Sequence, residues 1–431
     1  MKDLSTTAFV IAATIKVLVV FGGVMGVVAL LTLLERRIAG FIQDRLGPNR
    51  VGPWGILQPV ADGLKNFMKE ENAPATAAQP YFLLGPIISL APALVTFAVI
   101  PFAAPLPTPW GVVDMIVADV PIGILYILAL SSLGVYGVVM GGWASNNKYS
   151  FLGGLRASAQ MVSYEVALGL AVVIVLMLAG NVTITEMVWQ QQQLNFWFIF
   201  PLSLAFILFV ISAFAETNRL PFDMPEAESE LVGGFHTEYS GMKYAMYPMG
   251  EYSHMVTSSA LMATLFFGGW DIPFWTGDDA FFYQGAWIRG FAQDGTPLAA
   301  NLAWWKTLLT FGAFAVKTGF FILVYIWVRW TVPRFRYDQI MQLGWKVMLP
   351  SALAYLMVVA VTVLALDQMN VPYGFTFGLV LTVVSAICTG IFLWGLDRGR
   401  TLSGASATAR ERLRARSQKA GLDASTAPAE N

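Results

Sequence analysis

Nine times along this chain, a run of about twenty residues passes with almost no charged side chain. That is the length a helix needs to cross ~30 Å of hydrocarbon at ~1.5 Å per residue. The runs fall at 8–34, 81–104, 116–140, 160–180, 196–215, 253–270, 307–330, 345–366 and 373–396. Each reads as a spanning helix, because a backbone in lipid must satisfy its own N–H and C=O groups. Internal breakers such as Pro86, Pro92 and Pro201 do not contradict this, since neighbouring helices re-satisfy the freed groups. The first run is too long for the apolar region of a signal peptide and lacks a cleavage site, so it reads as a retained span.

Composition agrees. Only 12% of the 431 residues are charged and 56% are hydrophobic, whereas soluble domains carry about a quarter charged residues. The expected fold is therefore an all-α polytopic membrane protein of about nine transmembrane helices. These form one transmembrane domain over 1–396, with cytoplasmic loops at 35–80, 141–159, 216–252 and 331–344, followed by a basic tail over 397–431. The single cysteine, Cys388, excludes a disulfide framework and cannot hold an iron–sulfur cluster, which needs about four thiolates. His236 and His254 lie outside or at the edge of the apolar runs, which argues against a haem held between spans. No nucleotide-binding glycine fingerprint follows a strand. No flavin, haem, iron–sulfur cluster or metal is expected on this chain, and its net charge of −1 gives no reason to expect nucleic acid.

Orientation follows from the cations. The loops after the odd-numbered spans and the C-terminal tail hold 21 of the 26 Lys and Arg residues. The positive-inside rule places that side in the cytoplasm and the N-terminus outside, in a bacterial inner membrane. Lys16 and Lys317 lie inside spans; Lys16, near the outer end of its run, is expected to snorkel to the interface.

The polar residues gather in the cytoplasmic loops. In the first, Leu57, Val60, Leu64 and Phe67 form a helical stripe with Asp62, Lys65, Asn66 and Lys69 mostly elsewhere, the pattern of an interfacial amphipathic helix. Such a helix either covers the bundle or walls a site for an amphiphilic ligand. The loop at 216–252 carries seven carboxylates: Glu216, Asp223, Glu226, Glu228, Glu230, Glu238 and Glu251. Its Asp223-Met224-Pro225-Glu226 has the form of a helix-starting capping box. A solvated acidic loop would suffice for that density, but Phe222, Phe235, Tyr239, Tyr244 and Tyr247 give it apolar area enough to fold back into protein. Glu165 differs in kind: an ionisable group at the cytoplasmic end of a span is a functional candidate by default. A row of carboxyls in low dielectric, each able to gain and lose a proton near neutral pH, is what a proton path requires. In the fourth loop Arg334, Arg336, Asp338 and Lys346 lie among Trp330, Phe335, Tyr337 and Trp345, suited to docking a soluble partner or to headgroup contact.

Seven loop motifs resemble one family. They are Glu35-Arg36-Arg37; Gly47-Pro48-Asn49 with Val51-Gly52-Pro53; Leu57-Gln58-Pro59 leading to Asp62; Glu216-Thr217-Asn218-Arg219 with Pro221-Phe222-Asp223; Glu226-Ala227-Glu228-Ser229-Glu230; Glu238-Tyr239-Ser240-Gly241; and Arg336-Tyr337-Asp338-Gln339. Together and in this order, over about residues 8–366, they resemble the H-type membrane subunit of the bacterial proton-translocating NADH:quinone oxidoreductase, respiratory complex I, the counterpart of mitochondrial NADH dehydrogenase subunit 1. The resemblance implies an eight-helix core, to which 373–396 adds one helix. It implies a membrane subunit that forms the quinone cavity beneath an iron–sulfur-bearing peripheral arm and couples quinone reduction to proton translocation. Quinone, ubiquinone or menaquinone, would be the substrate, with the complete redox site shared with a neighbouring subunit. Carried over by motif, Glu165, Glu216, Asp223, Glu226, Glu228, Glu230 and Glu251 would be proton-coupling carboxylates. Arg36, Arg37, Arg45, Asp62, Arg219 and Phe222 would lie along the quinone passage. Implied partners are the peripheral iron–sulfur and quinone-site subunits, the small and antiporter-like membrane subunits, and the lipid bilayer. Two alternatives stand beside this reading: the homologous subunit of a hydrogenase-type or other donor-linked complex, and a free-standing ion or solute transporter.

Overall fold

The computed structural model describes residues 6–108, 111–194, 196–223, 233–272 and 303–397, together with Trp275 and the short strands Phe282–Tyr283 and Ala286–Trp287. Among these residues each of the nine apolar runs coincides with a helix. They are α1 (Thr6–Ile42), α3 (Gln79–Val95), α4 (Gly123–Ala144), α5 (Lys148–Ala179), α7 (Ser203–Glu216), α8 (Gly241–Phe266), α9 (Trp304–Thr331), α11 (Leu349–Gln368) and α12 (Phe375–Asp397). Seven are long and apolar enough to cross a membrane; α10 (Tyr337–Gln342) and a π-helical turn, Leu343–Met348, run continuously into α11 as one of them. The protein is multi-pass.

Several boundaries differ from the expected ones, for one physical reason. Helices that project past the hydrocarbon keep their hydrogen bonds while acquiring polar residues, so an apolar run underestimates their length. α1 continues eight residues past its run, to Ile42. The expected loop at 141–159 is almost all helix: α4 ends at Ala144, and α5 starts at Lys148 after Asn147 caps it by accepting from Tyr149 N at 2.9 Å. α8 starts twelve residues before its run, and the expected loop at 331–344 shortens because α10 begins at Tyr337. Conversely, α4 starts seven residues late, because Leu106–Thr108 and Gly111–Val113 pair as short antiparallel strands (Leu106 opposite Val113) and residues 114–122 run through bends and a turn at Pro121 rather than helix.

α7 is only 14 residues, about 21 Å. The preceding stretch to Leu202 is turn rather than helix, with Phe198 and Leu202 fully buried. Non-helical backbone at membrane depth is tolerated where protein covers it. Here α6 (Ile184–Leu194), a short helix not foreseen from the pattern, does part of that work. Its buried Gln191 accepts from Phe198 N at 3.1 Å and Gly268 N at 2.9 Å, and donates to Thr264 O at 2.9 Å.

Both intramembrane lysines are interior partners, which corrects the expectation that Lys16 snorkels. Lys16 is 8% exposed and donates to the carbonyls of Asp114 (3.3 Å) and Ile116 (2.8 Å), tying α1 to the segment before α4. Lys317 donates to the carbonyls of Phe267, Gly269 and Asp271. A cation there completes the C-terminal end of α8, where helix carbonyls lack partners. Beside it, burial pushes the Asp271 carboxyl above its ordinary value, against hydrogen bonds from Gln192 and Trp197 and the nearby Lys317 charge. α12 docks through hydroxyls: Ser203 Oγ lies 2.9 Å from both Ser385 Oγ and Thr389 Oγ1, and Tyr355 Oη lies 2.8 Å from Ser385 Oγ.

The loop at 216–252 folds back into protein where it is described. Phe235, Tyr239 and Tyr247 are buried with Phe82, Val138 and Ala157 in a second core. Gly141 is required there: a Cβ on it would lie 2.1 Å from Tyr247 Oη.

Candidate functional site

α1 carries a buried stripe of Val24, Val28, Leu31, Glu35 and Ala39, spaced so that one face turns into the bundle. Glu35 is therefore aimed inward, whereas the adjacent Arg36 is exposed. Three cationic or polar partners converge on its carboxylate from other elements. Arg219, just past α7, lies 3.3 Å from both oxygens; Arg329, near the end of α9, makes an ion pair and hydrogen bond; and Tyr252 of α8 donates at 2.6 Å. The Arg219 guanidinium also stacks on the Tyr252 ring at 4.2 Å. Burial alone would lower the Arg219 pKa, but Tyr252, Glu35 and Glu251 outweigh it and hold it above its ordinary value. Arg219 is thus a fixed positive charge inside the protein.

Against this cluster lies a cavity of about 720 Å³, with Glu35, Arg36, Arg45, Asp62, Tyr252 and Arg329 in its wall. The amphipathic helix α2 (Gln58–Met68) forms one side. Its Pro59, Asp62, Gly63, Asn66 and Phe67 line the cavity, while Val60, Leu64 and Met68, with Leu57 just before the helix, are exposed on the outside. An apolar outer face and an inner face that sets Asp62 and Asn66 beside Phe67 make α2 a wall of the cavity. Asp62 ties it to α1 through Arg36 at 2.6 Å and accepts from Gln58 at 3.1 Å. The volume lies within the ~300–1,000 Å³ usual for small-ligand sites.

A second polar group lies deeper. Ser131 of α4 hydrogen-bonds Glu216, the last residue of α7. The adjacent Ser132 hydrogen-bonds Glu165 of α5, and Glu165 is close enough to Glu216 to interact with it electrostatically. Neighbouring hydroxyls on α4 thus hold two carboxyls from two other helices. Glu251, on α8, interacts with Arg219. Gln160 of α5 anchors the chain that joins these groups, donating to Ala215 O (3.0 Å), Asn218 Oδ1 (3.2 Å) and Phe222 O (2.8 Å).

Of the residues singled out from sequence, Arg36, Arg45 and Asp62 line the cavity; Arg219 lies behind it on Glu35; and Arg37 is not in its wall. Phe222 is buried instead between Tyr164 and Phe335, at ring distances of 5.4 and 5.7 Å. Asp223 is buried and paired with Arg334 at 3.0 Å. Glu165, Glu216 and Glu251 are partly buried, on α5, α7 and α8; Glu226, Glu228 and Glu230, with the helix start expected at Asp223–Glu226, fall outside the described residues. Sequence reasoning passed over Glu35, Tyr252 and Arg329, the centre of the ion cluster. The signal for Glu35 was its seven-residue spacing from Val28 on one helix face, hidden by ending the span at Leu34. Nothing local marks Tyr252 or Arg329.

A family model described as NADH dehydrogenase matches residues 15–360. The H-type subunit 1 of NADH-quinone oxidoreductase from Geobacter sulfurreducens is 47% identical over 366 residues, covering 82% of this chain and 96% of the relative. The H-type subunit of the same enzyme from Leptospira biflexa is 45% identical, covering 81% and 94%. The H-type subunit 1 from Cytophaga hutchinsonii is 44% identical, covering 83% and 98%. α12 lies beyond the matched residues.

Proposed function

Because the chain belongs to the NADH dehydrogenase family, as a membrane-spanning subunit of NADH-quinone oxidoreductase, we propose that it binds quinone in the cavity beside α2 and couples quinone reduction to proton translocation. The observation that carries this reading is the continuity between that cavity and buried titratable groups. Glu35, Tyr252 and Arg329 are at once cavity wall and ion cluster, and Arg219 connects the cluster to Glu251 and, three residues along the chain, to Glu216.

The chemistry this chain supplies is electrostatic. A quinone accepts two electrons, delivered from the peripheral iron–sulfur subunits, and two protons. The guanidiniums of Arg36, Arg45 and Arg329 favour negative charge on the reduced head group while protons arrive. A unit charge change at ~5 Å with an effective dielectric of ~20 is worth ~3 kcal/mol, about two pKa units. That is enough to load or unload a nearby carboxyl. Glu216, Glu165 and Glu251, with Glu226, Glu228, Glu230 and Asp223, would relay the shift toward antiporter-like membrane subunits. Asp223, held by Arg334, would fix the loop geometry as much as it moves charge. The cavity would then open on the cytoplasmic face of a bacterial inner membrane with the N-terminus outside, a reading the Lys and Arg excess of the neighbouring loops supports.

The test is Glu216→Gln in the assembled complex, in sealed membrane vesicles. The change keeps size and removes titration. NADH oxidation by an artificial acceptor that intercepts electrons ahead of the quinone reports assembly and should be retained. Quinone-linked turnover and proton uptake should both fall by ~10-fold or more. Normal pumping and turnover would remove Glu216 from the relay.

A further inference from the structure

We propose that His254 is a second proton-holding group of this relay, sharing one internal water site with Glu216. The inference rests on the relay reading above and adds a residue to it. Between α4, α7 and α8 lies a cavity of about 30 Å³, into which Glu216, His254, Ser131, Thr257 and Ser258 project; apolar side chains of α4, α5, α7 and α8 close the rest. That is about the volume of one water molecule, and a buried water needs two to four polar partners, which these groups provide.

Glu216 and His254 both keep accessible surface while the residues before and after them, Ala215, Thr217, Ser253 and Met255, are buried. The space they face in common is this cavity. The hydroxyls around it mostly spend their protons on their own helices. Thr217 donates to Ala213 O at 3.0 Å, Thr96 to Ala93 O at 2.8 Å, and Ser258 to Met255 O at 3.2 Å. They therefore present lone pairs, and a water between them is steered to donate to hydroxyls while exchanging protons with the carboxyl and the imidazole.

The helical register extends the path. His254, Thr257, Ser258 and Leu261 share one face of α8, and Glu251 lies one turn earlier on the same face, ~4.5 Å along the axis. Glu251 interacts with Arg219 of the ion cluster. His254 thus stands between the groups that sense the cavity beside α2 and Glu216. Among the described residues the titratable groups facing it are few. α7 contributes Glu216, and α9 contributes Tyr325, whose hydroxyl lies 3.0 Å from Ser258 Oγ. The turn just past α3 contributes the hydroxyl of Thr96 and α4 that of Ser131, and Glu165 of α5 acts one step further on, through Glu216. An imidazole in this position can take a proton at one nitrogen and release it from the other, which suits a relay between two carboxyls.

The experiment compares His254→Gln, His254→Glu and Glu216→Gln in the assembled complex. It measures quinone-linked turnover and proton uptake across the pH range, with artificial-acceptor activity as the assembly control. His254→Gln keeps a polar group at the water but cannot titrate; it should lower coupled turnover by roughly tenfold or more. His254→Glu restores titration with a different affinity, and should recover part of the rate with its pH profile displaced. If His254→Gln keeps wild-type rate, stoichiometry and pH profile while Glu216→Gln loses them, the relay stands and His254 is only structural. If Glu216→Gln is also silent, the relay reading itself falls. Should His254→Gln fail to assemble, His254→Glu decides: an unshifted pH profile overturns the proposal.

Discussion

Glu35→Gln is the substitution from which most can be learned. It removes the carboxylate shared by Arg219 and Arg329; Glu35 and Arg219 are buried, at 7% and 8% exposure, and Arg329 is partly buried at 17%. At the 3.3 Å between Glu35 and Arg219 and an effective dielectric of ~20, one such pairing carries ~5 kcal/mol of Coulomb attraction. Mutual repulsion of the arginines and the desolvation of all three offset part of this in the native protein. In the variant the repulsion remains and the attraction to Glu35 does not; Arg219 keeps its interaction with Glu251, and the expected loss is ~3–5 kcal/mol, the usual cost of removing one partner from a buried ion pair. Hydrogen exchange on the detergent-extracted complex reads this locally. Amides after α7, through Asp223, and at the end of α9 should exchange roughly 150- to 5,000-fold faster, at ~1.36 kcal/mol per tenfold. Arg36→Gln provides the contrast. Its pair with Asp62 has an arginine 51% exposed, so breaking it should cost under ~1 kcal/mol and change exchange less than about fivefold. If Glu35→Gln behaves like Arg36→Gln, the cluster does not hold this end of the bundle together.

Two further outcomes follow from particular contacts. Gly141→Ala drives a methyl into Tyr247 Oη and should destabilise by ~1–3 kcal/mol; adding Tyr247→Phe removes the 2.1 Å contact and leaves Tyr239 Oη at 3.1 Å and Tyr247 Cζ at 3.2 Å, so melting of the double variant should recover part of the way toward wild type. Lys317→Met strips a shared donor from the carbonyls of Phe267, Gly269 and Asp271. It should cost ~1–3 kcal/mol, seen as faster exchange confined to the end of α8, with the Glu35 cluster unaffected.

The nine helices were legible because hydrocarbon imposes a length and an absence of charge that no other environment demands of a chain so often; seven of them are long and apolar enough to cross. The resemblance in the loops was legible because its motifs are local: Glu216 to Arg219 and Glu226 to Glu230 are each contiguous. Helix ends were less so, since α5, α8 and α10 extend through polar sequence that lies outside the apolar windows. The orientation of α2 could be read only in part: its stripe predicted an interfacial helix, but which face meets a cavity depends on what Arg36 and Met249 on α1 and α8 leave open.

Pattern alone determined that this chain crosses a membrane repeatedly and that its ionisable groups crowd one end, because those properties are sums over neighbouring residues. Only the tertiary structure decided that Glu35, Arg219, Tyr252 and Arg329 are one cluster, and that Glu216 and His254 face one water-sized space. Glu35 and Arg329 are 294 residues apart in the chain, and the register in which α1 packs against α8 and α9 sets which side chains meet. Leu31 of α1 and Tyr325 and Ile326 of α9 lie in one buried core with residues from many other elements, an arrangement no local stretch of sequence encodes.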